Sequence, residues 1–190
     1  MNELWVALAA LALIAFLALL VSRATRLDRL HNDVLRSRAT LDRLLRARAE
    51  LSLELARSGE LDLAASMILG EAALRALDDA QELVPDGLDP TYAPDPALAA
   101  VETRQRALVE SELSKVLRET LPDVADSELA ARIVRGWRQM RIARQLHNQK
   151  VAMTRRLRLA VLVRLFHLAG HAPLPVTFDM DDELPLGFEA

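Results

Sequence analysis

The sequence has no cysteine, and this absence excludes several kinds of site at once. Disulfide bonds, thiolate nucleophiles and cysteine-ligated zinc or iron–sulfur centres all require that residue. Aromatic residues are also scarce, at 4% of the 190 residues, whereas apolar residues make up 52%. This Leu- and Ala-rich composition predicts an all-α protein and disfavours a β-sandwich.

Glycine is scarce as well, and the six glycines are scattered, so no Gly-rich loop is available to hold a phosphate. His167 and His171 are four residues apart, but no carboxylate that could complete a metal site lies near them in the sequence. The acidic residues Asp179, Asp181, Asp182 and Glu183 are not part of a calcium-binding loop with the required glycine, and a mobile acidic tail is favoured. We therefore predict no catalytic, metal-binding or cofactor-binding residue and no enzymatic activity. An unrecognised hydrolase with a buried polar cluster is the remote alternative.

Charged residues are absent from Leu4 to Val21, a run of eighteen apolar residues. At a rise of ~1.5 Å per residue such a helix is about 27 Å long, close to the thickness of a bilayer's hydrocarbon core. The preceding "MNE" lacks the basic residues of a signal peptide. Residues 1–22 are thus predicted to be an uncleaved transmembrane anchor. A buried helix of a soluble protein is the alternative.

The orientation of this anchor follows from its flanks. Arg23, Arg26 and Arg29 follow the apolar run, and no basic residue precedes it. Because basic residues stay on the cytoplasmic side, we expect a single-pass protein of the cell membrane with its N-terminus outside and its bulk in the cytoplasm. Trp5 suits the opposite interface, and the three arginines can contact anionic lipid.

Beyond the anchor, nine positions recur three and four residues apart, as in a coiled-coil or bundle seam. These positions are Leu27, Leu30, Val34, Ser37, Leu41, Leu44, Arg48, Leu51 and Leu55. Ser37 and Arg48 interrupt the apolar pattern, which favours an irregular bundle over a long two-stranded coiled coil. No Pro or Gly occurs between Leu4 and Ser58, so the anchor and this seam can form one helix.

Punctuating residues divide the rest of the chain into three more helices. Ser58-Gly59 ends the first helix, and the second runs from about Glu60 to Leu83. After a Pro-rich loop at about 84–96, Asp95 and Pro96 begin the third helix, which Pro122 ends. Asp126 or Ser127 caps a fourth that reaches about Ala169. The prediction is a transmembrane helix continuing into an antiparallel four-helix bundle, residues 23–170, followed by an acidic C-terminal tail, residues 171–190.

The net charge of −3 conceals a strong segregation of charge. Leu129 to Phe178 contains ten basic residues and no acid, whereas Gly59 to Glu128 contains sixteen acids and five basic residues. We therefore expect the basic fourth helix to pack against the acidic second and third helices. Nucleic-acid binding is not expected, because the chain is acidic overall and short of stacking aromatics.

The predicted fourth helix, which contains the stretch "RQMRIARQLHNQKV" (residues 138–151), separates into two faces when its residues are placed 100° apart. The buried face is predicted to contain Ile133, Trp137, Met140, His147 and Val151. The opposite face contains Arg132, Arg135 and Arg138, a candidate interaction face for a protein partner and otherwise a solvated surface.

Several stretches resemble the LemA family of bacterial membrane-anchored helical proteins. "ARQLHN" resembles the family's Ala-Arg-x-x-Tyr-Asn element, and "ETLPDV" is similar to its Glu-x-Tyr-Pro-Asp-Leu turn; Asn32 to Leu51 and Leu165 to Phe178 also resemble family patterns. The matching positions that we assign to packing are Asp42, Leu45, Pro122, Asp123, Ala143, Arg144, His147, Asn148 and Val151. The Pro after the family's Asp-Leu pair is missing, which indicates a divergent member.

The resemblance implies an N-terminal anchor, a cytoplasmic-side helical bundle and no established enzymatic activity. We therefore expect a non-enzymatic scaffold or adaptor that binds membrane lipid through residues 4–21 and an unknown protein partner through its bundle. The alternative is a membrane-tethered homo-oligomer in which the Leu27–Leu55 seam pairs between copies.

Overall fold

The computed structural model describes residues 2–80, 84–85, 88, 96–170 and 174–188 of the chain. Throughout these residues the regular structure is helical, as the composition predicted. The helices are α1 (Asn2–Arg57), α2 (Leu63–Asp79), α3 (Pro96–Thr120), α4 (Glu128–Arg158) and α5 (Val161–Leu165), with a 3₁₀ turn at Leu121–Val124.

α1 is one continuous helix of 56 residues that contains both the apolar run and the seam. It is long and apolar enough to cross a membrane, and none of the residues in its most apolar stretch is buried against the rest of the protein. Its C-terminal half is buried instead. Gly59 adopts a positive φ of 81° just beyond the last turn, which confirms the predicted stop.

α2 is shorter than the sequence pattern suggests at its N-terminal end. The Asp62 carboxylate accepts a hydrogen bond from the Ala65 amide at 2.8 Å, so the helix begins at Leu63 and not at Glu60. At the other end α2 stops at Asp79, and the predicted extension to Leu83 lies outside the described residues.

The turn between α3 and α4 contains the predicted helix stop and the predicted helix cap. Pro122 lies in the 3₁₀ turn that follows Thr120, and Ser127 caps α4 by accepting hydrogen bonds from the Leu129 and Ala130 amides. Of the two proposed caps, Ser127 is therefore the one used. The predicted cap of α3 at Asp95 lies outside the described residues.

The prediction that the fourth helix persists to about Ala169 is wrong. α4 ends at Arg158, and Ala160 is extended, with φ −62° and ψ 138°, before the short α5 begins. No Pro or Gly marks the break. The redirected chain brings Val163 into a cluster with Leu27 and Leu157, so tertiary packing overrides a locally helical sequence.

The core forms where the C-terminal half of α1 meets α2 and α4, with α3 packed on α2. The seam is confirmed as a buried face, because Leu27, Val34, Leu41 and Leu55 are buried within their own chain. A second copy could pair through this seam only after that packing had opened.

The expectation that basic α4 packs against acidic α2 and α3 is wrong for the described part of the chain. α4 packs mainly against α1. Its arginines meet acids elsewhere: Arg132 pairs with Glu54 of α1, and Arg144 pairs with Asp182 beyond α5. The acidic C-terminal residues, which lie far away in sequence, supply the opposite charge.

Residues 174–188 form an extended segment packed on the helices, where the composition alone favoured a mobile tail. Phe178, Met180 and Leu184 are buried and belong to the main core. Alternate residues of the segment thus point inward, as in an extended chain lying on an apolar surface. Val84 and Leu88 of the predicted loop are buried too, and most of that loop lies outside the described residues.

Candidate functional site

A cluster of charged side chains lies inside the helical core, where α1, α3 and α4 meet. Arg48 is 1% exposed, and its Nη2 atom lies 2.8 Å from Oε2 of Glu110, which is 0% exposed. The other carboxylate oxygen, Oε1, lies 2.9 Å from Nη2 of Arg106. One carboxylate therefore joins two buried guanidinium groups.

Further contacts fix the Arg48 side chain. Its Nη1 donates to Oγ of Ser114 at 2.9 Å, and its Nη2 also donates to the Glu110 carbonyl at 3.0 Å. The guanidinium carbon lies 5.2 Å from the ring centroid of buried Trp137, a cation–π distance. Arg48 thus connects α1 to α3 and α4 by directional contacts. An apolar residue at this position would not select one arrangement of the helices over others in this way.

The electrostatics of this cluster favour a structural role. Burial lowers the pKa of Arg48, and the adjacent Glu110 carboxylate opposes that effect. Two cations and one anion leave an excess positive charge, and repulsion from Arg106 also lowers the Arg48 pKa. Because arginine remains protonated in proteins and both Glu110 oxygens face guanidinium groups, neither residue type has a free role as a general base.

The cluster does not border any of four surface cavities that are lined by described residues. Four surface cavities of about 320 to 700 Å³ have linings that include neither Arg48, Arg106 nor Glu110. Ionisable side chains do converge, as the hydrolase alternative requires, but none of these four cavities brings a substrate to them.

A second polar pair joins α1 and α4 nearer the apolar stretch of α1. Nδ1 of His147 lies 3.0 Å from Oγ of Ser37, and that hydroxyl donates to the Val34 carbonyl at 2.9 Å. His147 is buried, as the helical phase predicted. Ser37 and Arg48, the two irregular positions of the seam, are thus the two positions that meet polar partners across helices.

The Ser37–His147 pair has the residue types of a nucleophile and a base, but both residues are buried. The Ser37 hydroxyl has one proton and lies within hydrogen-bond distance of both the Val34 carbonyl and Nδ1 of His147. Burial, with repulsion from Arg38 and Lys150, lowers the pKa of His147 to about 4. A neutral packing histidine fits these facts.

The C-terminal segment is held by Asn148, the second residue of the His-Asn pair in "ARQLHN". Asn148 donates from Nδ2 to the Phe178 carbonyl at 3.0 Å and accepts from the Phe178 amide at 2.8 Å. Its amide therefore imitates a neighbouring β-strand by satisfying both backbone groups of one residue. The Arg144 guanidinium pairs with Asp182 of the same segment at 2.8 Å.

The acids of this segment consequently have protein partners. Arg118 of α3 lies 2.5 Å from Asp181 and holds the pKa of that carboxyl below its ordinary value. Asp179 accepts hydrogen bonds from Asn148 and from Thr177. Within the described residues no group of three or more His, Asp or Glu side chains is arranged to hold a metal ion. His171 lies outside those residues.

The candidate interaction face of α4 is engaged within the chain. Arg132 pairs with Glu54 at 3.6 Å, Arg135 pairs with Glu128 at 2.9 Å, and Arg138 donates to the Phe188 carbonyl at 2.7 Å. Arg132 and Arg135 are exposed, so their pairs are of the weak surface kind and do not prevent contact with a partner.

The remaining sequence-selected residues occupy varied places. Asp42, Leu45 and Val151 are buried, Ala143 is half-buried, and Pro122 and Asp123 are exposed in the 3₁₀ turn. In the set predicted to flank the membrane, Trp5, Arg26 and Arg29 are exposed and Arg23 is half-buried. The structure thus brings His147 to α1 and brings Arg144 and Asn148 to the C-terminal segment.

Sequence reasoning missed Arg106, Glu110 and Ser114 of the buried cluster. Their signal is present in α3, where Thr103 and these three residues follow one another at intervals of three and four, the spacing of a single helical face. All four are buried. A polar row in phase with buried apolar residues of the same helix therefore indicates an internal network.

Comparison of the chain with protein-family models, with curated proteins and with solved structures finds no match. The resemblance to LemA proteins accordingly rests on the motifs alone.

Proposed function

We propose that this protein is a membrane-anchored, non-enzymatic scaffold whose helical domain is carried on the helix that crosses the bilayer. The observation that carries this proposal is the continuity of α1. One helix contains an exposed apolar stretch and, without a break, a face buried in the protein core. Movement of the anchor is therefore transmitted to the domain by a rigid connection and not by a flexible linker.

The proposed topology puts the N-terminus outside and the helical domain in the cytoplasm. Arg23, Arg26 and Arg29 follow the apolar stretch within three turns of helix, and no Lys or Arg precedes it. The acid-free residues 129–178 add basic charge on the same side. An anionic cytoplasmic leaflet attracts such charge.

The proposed arrangement of the domain is an antiparallel four-helix bundle. Ion pairs and hydrogen bonds run in opposite directions along neighbouring helices: Glu54 pairs with Arg132, whereas Ser37 pairs with His147. Contacts of Ala56 with Gly70 and of Arg46 with Ala80 support the same antiparallel sense for α1 and α2. Thr103 with Pro85, and Arg75 with Glu112, support it for α2 and α3.

We further propose that the chain is a divergent LemA protein that acts as an adaptor. Two positions of its "ARQLHN" element have the long-range contacts described above: His147 packs against α1, and Asn148 holds the C-terminal segment. Among the described residues, Arg48, Arg106 and Glu110 are buried away from the four cavities described above, which supports binding at the surface over catalysis. The exposed arginines of α4 are the proposed contact for an acidic protein partner.

Extraction of membranes tests the proposed anchor. The full-length chain is expected to stay in the membrane pellet after washing at alkaline pH, which strips peripheral proteins but leaves spanning helices in place. A matched variant with Leu11→Arg and Ile14→Arg interrupts the apolar stretch and leaves the core residues unchanged. That variant is expected in the soluble fraction. Release of the wild-type chain would contradict the proposal.

Light scattering of the full-length chain in detergent micelles separates the scaffold from the tethered oligomer. Because the Leu27–Leu55 seam is buried within one chain, we expect one protein molecule per micelle. A stable dimer that dissociates when Leu41 is changed would favour pairing through the seam instead.

A further inference from the structure

We infer that residues 159–170, here called the α5 segment, form a second membrane-contacting element that inserts into the cytoplasmic leaflet beside α1. This inference rests on the proposed function, because it requires α1 to cross the bilayer. It adds a lipid-binding surface more than a hundred residues away from the anchor in sequence. The occupant that we assign to this surface is the bilayer itself.

The position of the α5 segment relative to the anchor is the first observation. The Phe166 ring meets the Phe16 ring edge to face, with 5.5 Å between centroids and an interplanar angle of 66°. Phe16 precedes Val21, the last residue of the apolar run, by five residues, which is about 7.5 Å along a helix. Phe166 therefore lies at the depth of the hydrocarbon region and not at the headgroups.

The packing of the same segment fixes it there. Val163 and Leu157 are buried against Leu27 of α1, with Leu168 and Ala169 packed on the same cluster. Contacts between the segment and α1 thus extend from Leu27, above the apolar run, down to Phe16 inside it. The chain turns at Ala160, between the end of α4 and the start of α5, immediately before the residues that make these contacts.

The outward side of the segment is apolar, which is the second observation. Val161 is 77% exposed and Leu165 is 66% exposed, and Leu159 and Phe166 are exposed as well. Only Arg164 and His167 interrupt the twelve residues "LAVLVRLFHLAG" with polar side chains. Large apolar side chains gathered in water are unfavourable, but at the edge of a bilayer they are buried in acyl chains.

An open groove of about 700 Å³ lies along this side. Its lining includes Leu159, Val161, Leu165 and Leu174, together with Arg158 and Arg164. Apolar walls next to guanidinium groups are the combination that accepts an acyl chain together with its phosphate headgroup.

The distribution of charge is the third observation. Arg155 and Arg156 are exposed in the last turn of α4, immediately before the segment, and Arg26 and Arg29 are exposed on α1 at the neighbouring level. No Asp or Glu occurs between residues 129 and 178, and Asp28 is the nearest acid in the sequence of α1. Basic charge just above an inserted apolar face is the pattern of interfacial membrane elements.

Spin labelling in bilayers tests the inference directly, because a chain without cysteine accepts single cysteines at chosen places. The full-length protein is reconstituted into vesicles of phosphatidylcholine and phosphatidylglycerol, with Val161→Cys or Leu165→Cys carrying a nitroxide. Collision of the label with oxygen, which concentrates in lipid, is compared with collision with a water-soluble nickel chelate. Ile142→Cys, 59% exposed on α4, is the water control, and Leu11→Cys, 64% exposed on α1, is the lipid control.

We expect the oxygen-to-nickel collision ratio at residues 161 and 165 to exceed that at residue 142 several-fold and to approach that at residue 11. Ratios at 161 and 165 equal to that at 142, with residue 11 in lipid, overturn the inference and leave the anchor intact. Low collision rates with both reagents overturn it as well, because they show that protein covers the face. A water-like ratio at residue 11 itself overturns the anchor and this inference together. Circular dichroism spectra that match the wild type confirm that each labelled chain is folded.

Discussion

Because the buried cluster contains two cations and one anion, replacing the anion and replacing a cation are expected to destabilise the protein by different amounts. Glu110 lies between Arg48 and Arg106, at 2.8 and 2.9 Å from their guanidinium nitrogens. Glu110→Gln keeps the shape of the side chain but leaves two guanidinium groups together in the core. Arg48→Met removes one cation, fills much of the same volume, and leaves Glu110 paired with Arg106. We predict that Glu110→Gln destabilises the protein more than Arg48→Met does.

The magnitudes follow from the cost of breaking a buried ion pair, which is about 3–5 kcal/mol when one partner stays behind. Glu110→Gln breaks two such pairs and is expected at the upper end or beyond, about 5 kcal/mol. Arg48→Met leaves a balanced pair and is expected at the lower end, about 3 kcal/mol, including the lost contact with Trp137. The exposed pair of Arg75 and Glu112 supplies the control, because Arg75→Ala is expected to cost at most about 1 kcal/mol.

Urea unfolding of the full-length chain in detergent micelles measures these differences. Trp137 is buried beside Arg48, and the other tryptophan, Trp5, lies in the apolar stretch. A Trp5→Phe background therefore makes the fluorescence of Trp137 the sole reporter of the core. A loss of unfolding free energy for Glu110→Gln equal to or smaller than that for Arg48→Met would refute the charge reasoning.

Three further predictions concern α4 and use the same assay, except where another measurement is named. His147→Ala is expected to lower the urea midpoint more than Arg138→Ala, since the first removes a buried interhelical residue and the second an edge contact; equal midpoints would show that the assignment of faces is wrong. The pKa of His147 is about 4 in the folded chain and 6.5 in the unfolded chain, so the unfolded chain binds the proton first as the pH falls. About 3 kcal/mol of stability is therefore present above pH 6.5 and is lost as the pH falls towards 4. A wild-type pH dependence of stability no steeper than that of His147→Gln would contradict this. Asn148→Ala is expected to speed hydrogen exchange at the Phe178 amide by at least tenfold, because its acceptor is removed; unchanged exchange, measured by mass spectrometry, would show that other contacts hold the segment.

Much of the helical pattern was predictable because it depends on residues that are close together in the sequence. The absence of Pro and Gly from Leu4 to Ser58 predicted the continuity of α1, and Gly59 and Ser127 marked ends that depend on one or two residues. The buried face of α4 followed from helical phase alone. Such features need no knowledge of which helix packs against which.

The features that were missed depend on partners that are distant in sequence. The break at Ala160 has no local cause and follows from the packing of Val163 on Leu27 and of Phe166 on Phe16. The place of the C-terminal segment follows in the same way from Asn148. Segregated charge led to the wrong packing partner for α4, because charge is not directional and cannot distinguish α2 and α3 from residues 179–183.

For the polar contacts in the core, local sequence indicated which seam positions are irregular but did not indicate their partners. The seam marked Ser37 and Arg48 as irregular positions, and both have polar partners on other helices. The identity of those partners required the pairing of α1 with α3 and α4. An interruption in an apolar seam is therefore a useful sign of an internal contact, whereas its partner must be sought in the fold.

Side-specific thiol labelling in intact cells tests the proposed membrane topology most directly. Two single-cysteine variants of the full-length chain are compared, Asn2→Cys before the apolar stretch and Ser58→Cys beyond the end of α1. With a reagent that cannot cross the membrane, residue 2 is predicted to be labelled in intact cells and residue 58 only after the membrane is opened. Labelling of residue 58 from outside, or protection of residue 2 until the membrane is opened, would contradict a single-pass anchor with a cytoplasmic helical domain.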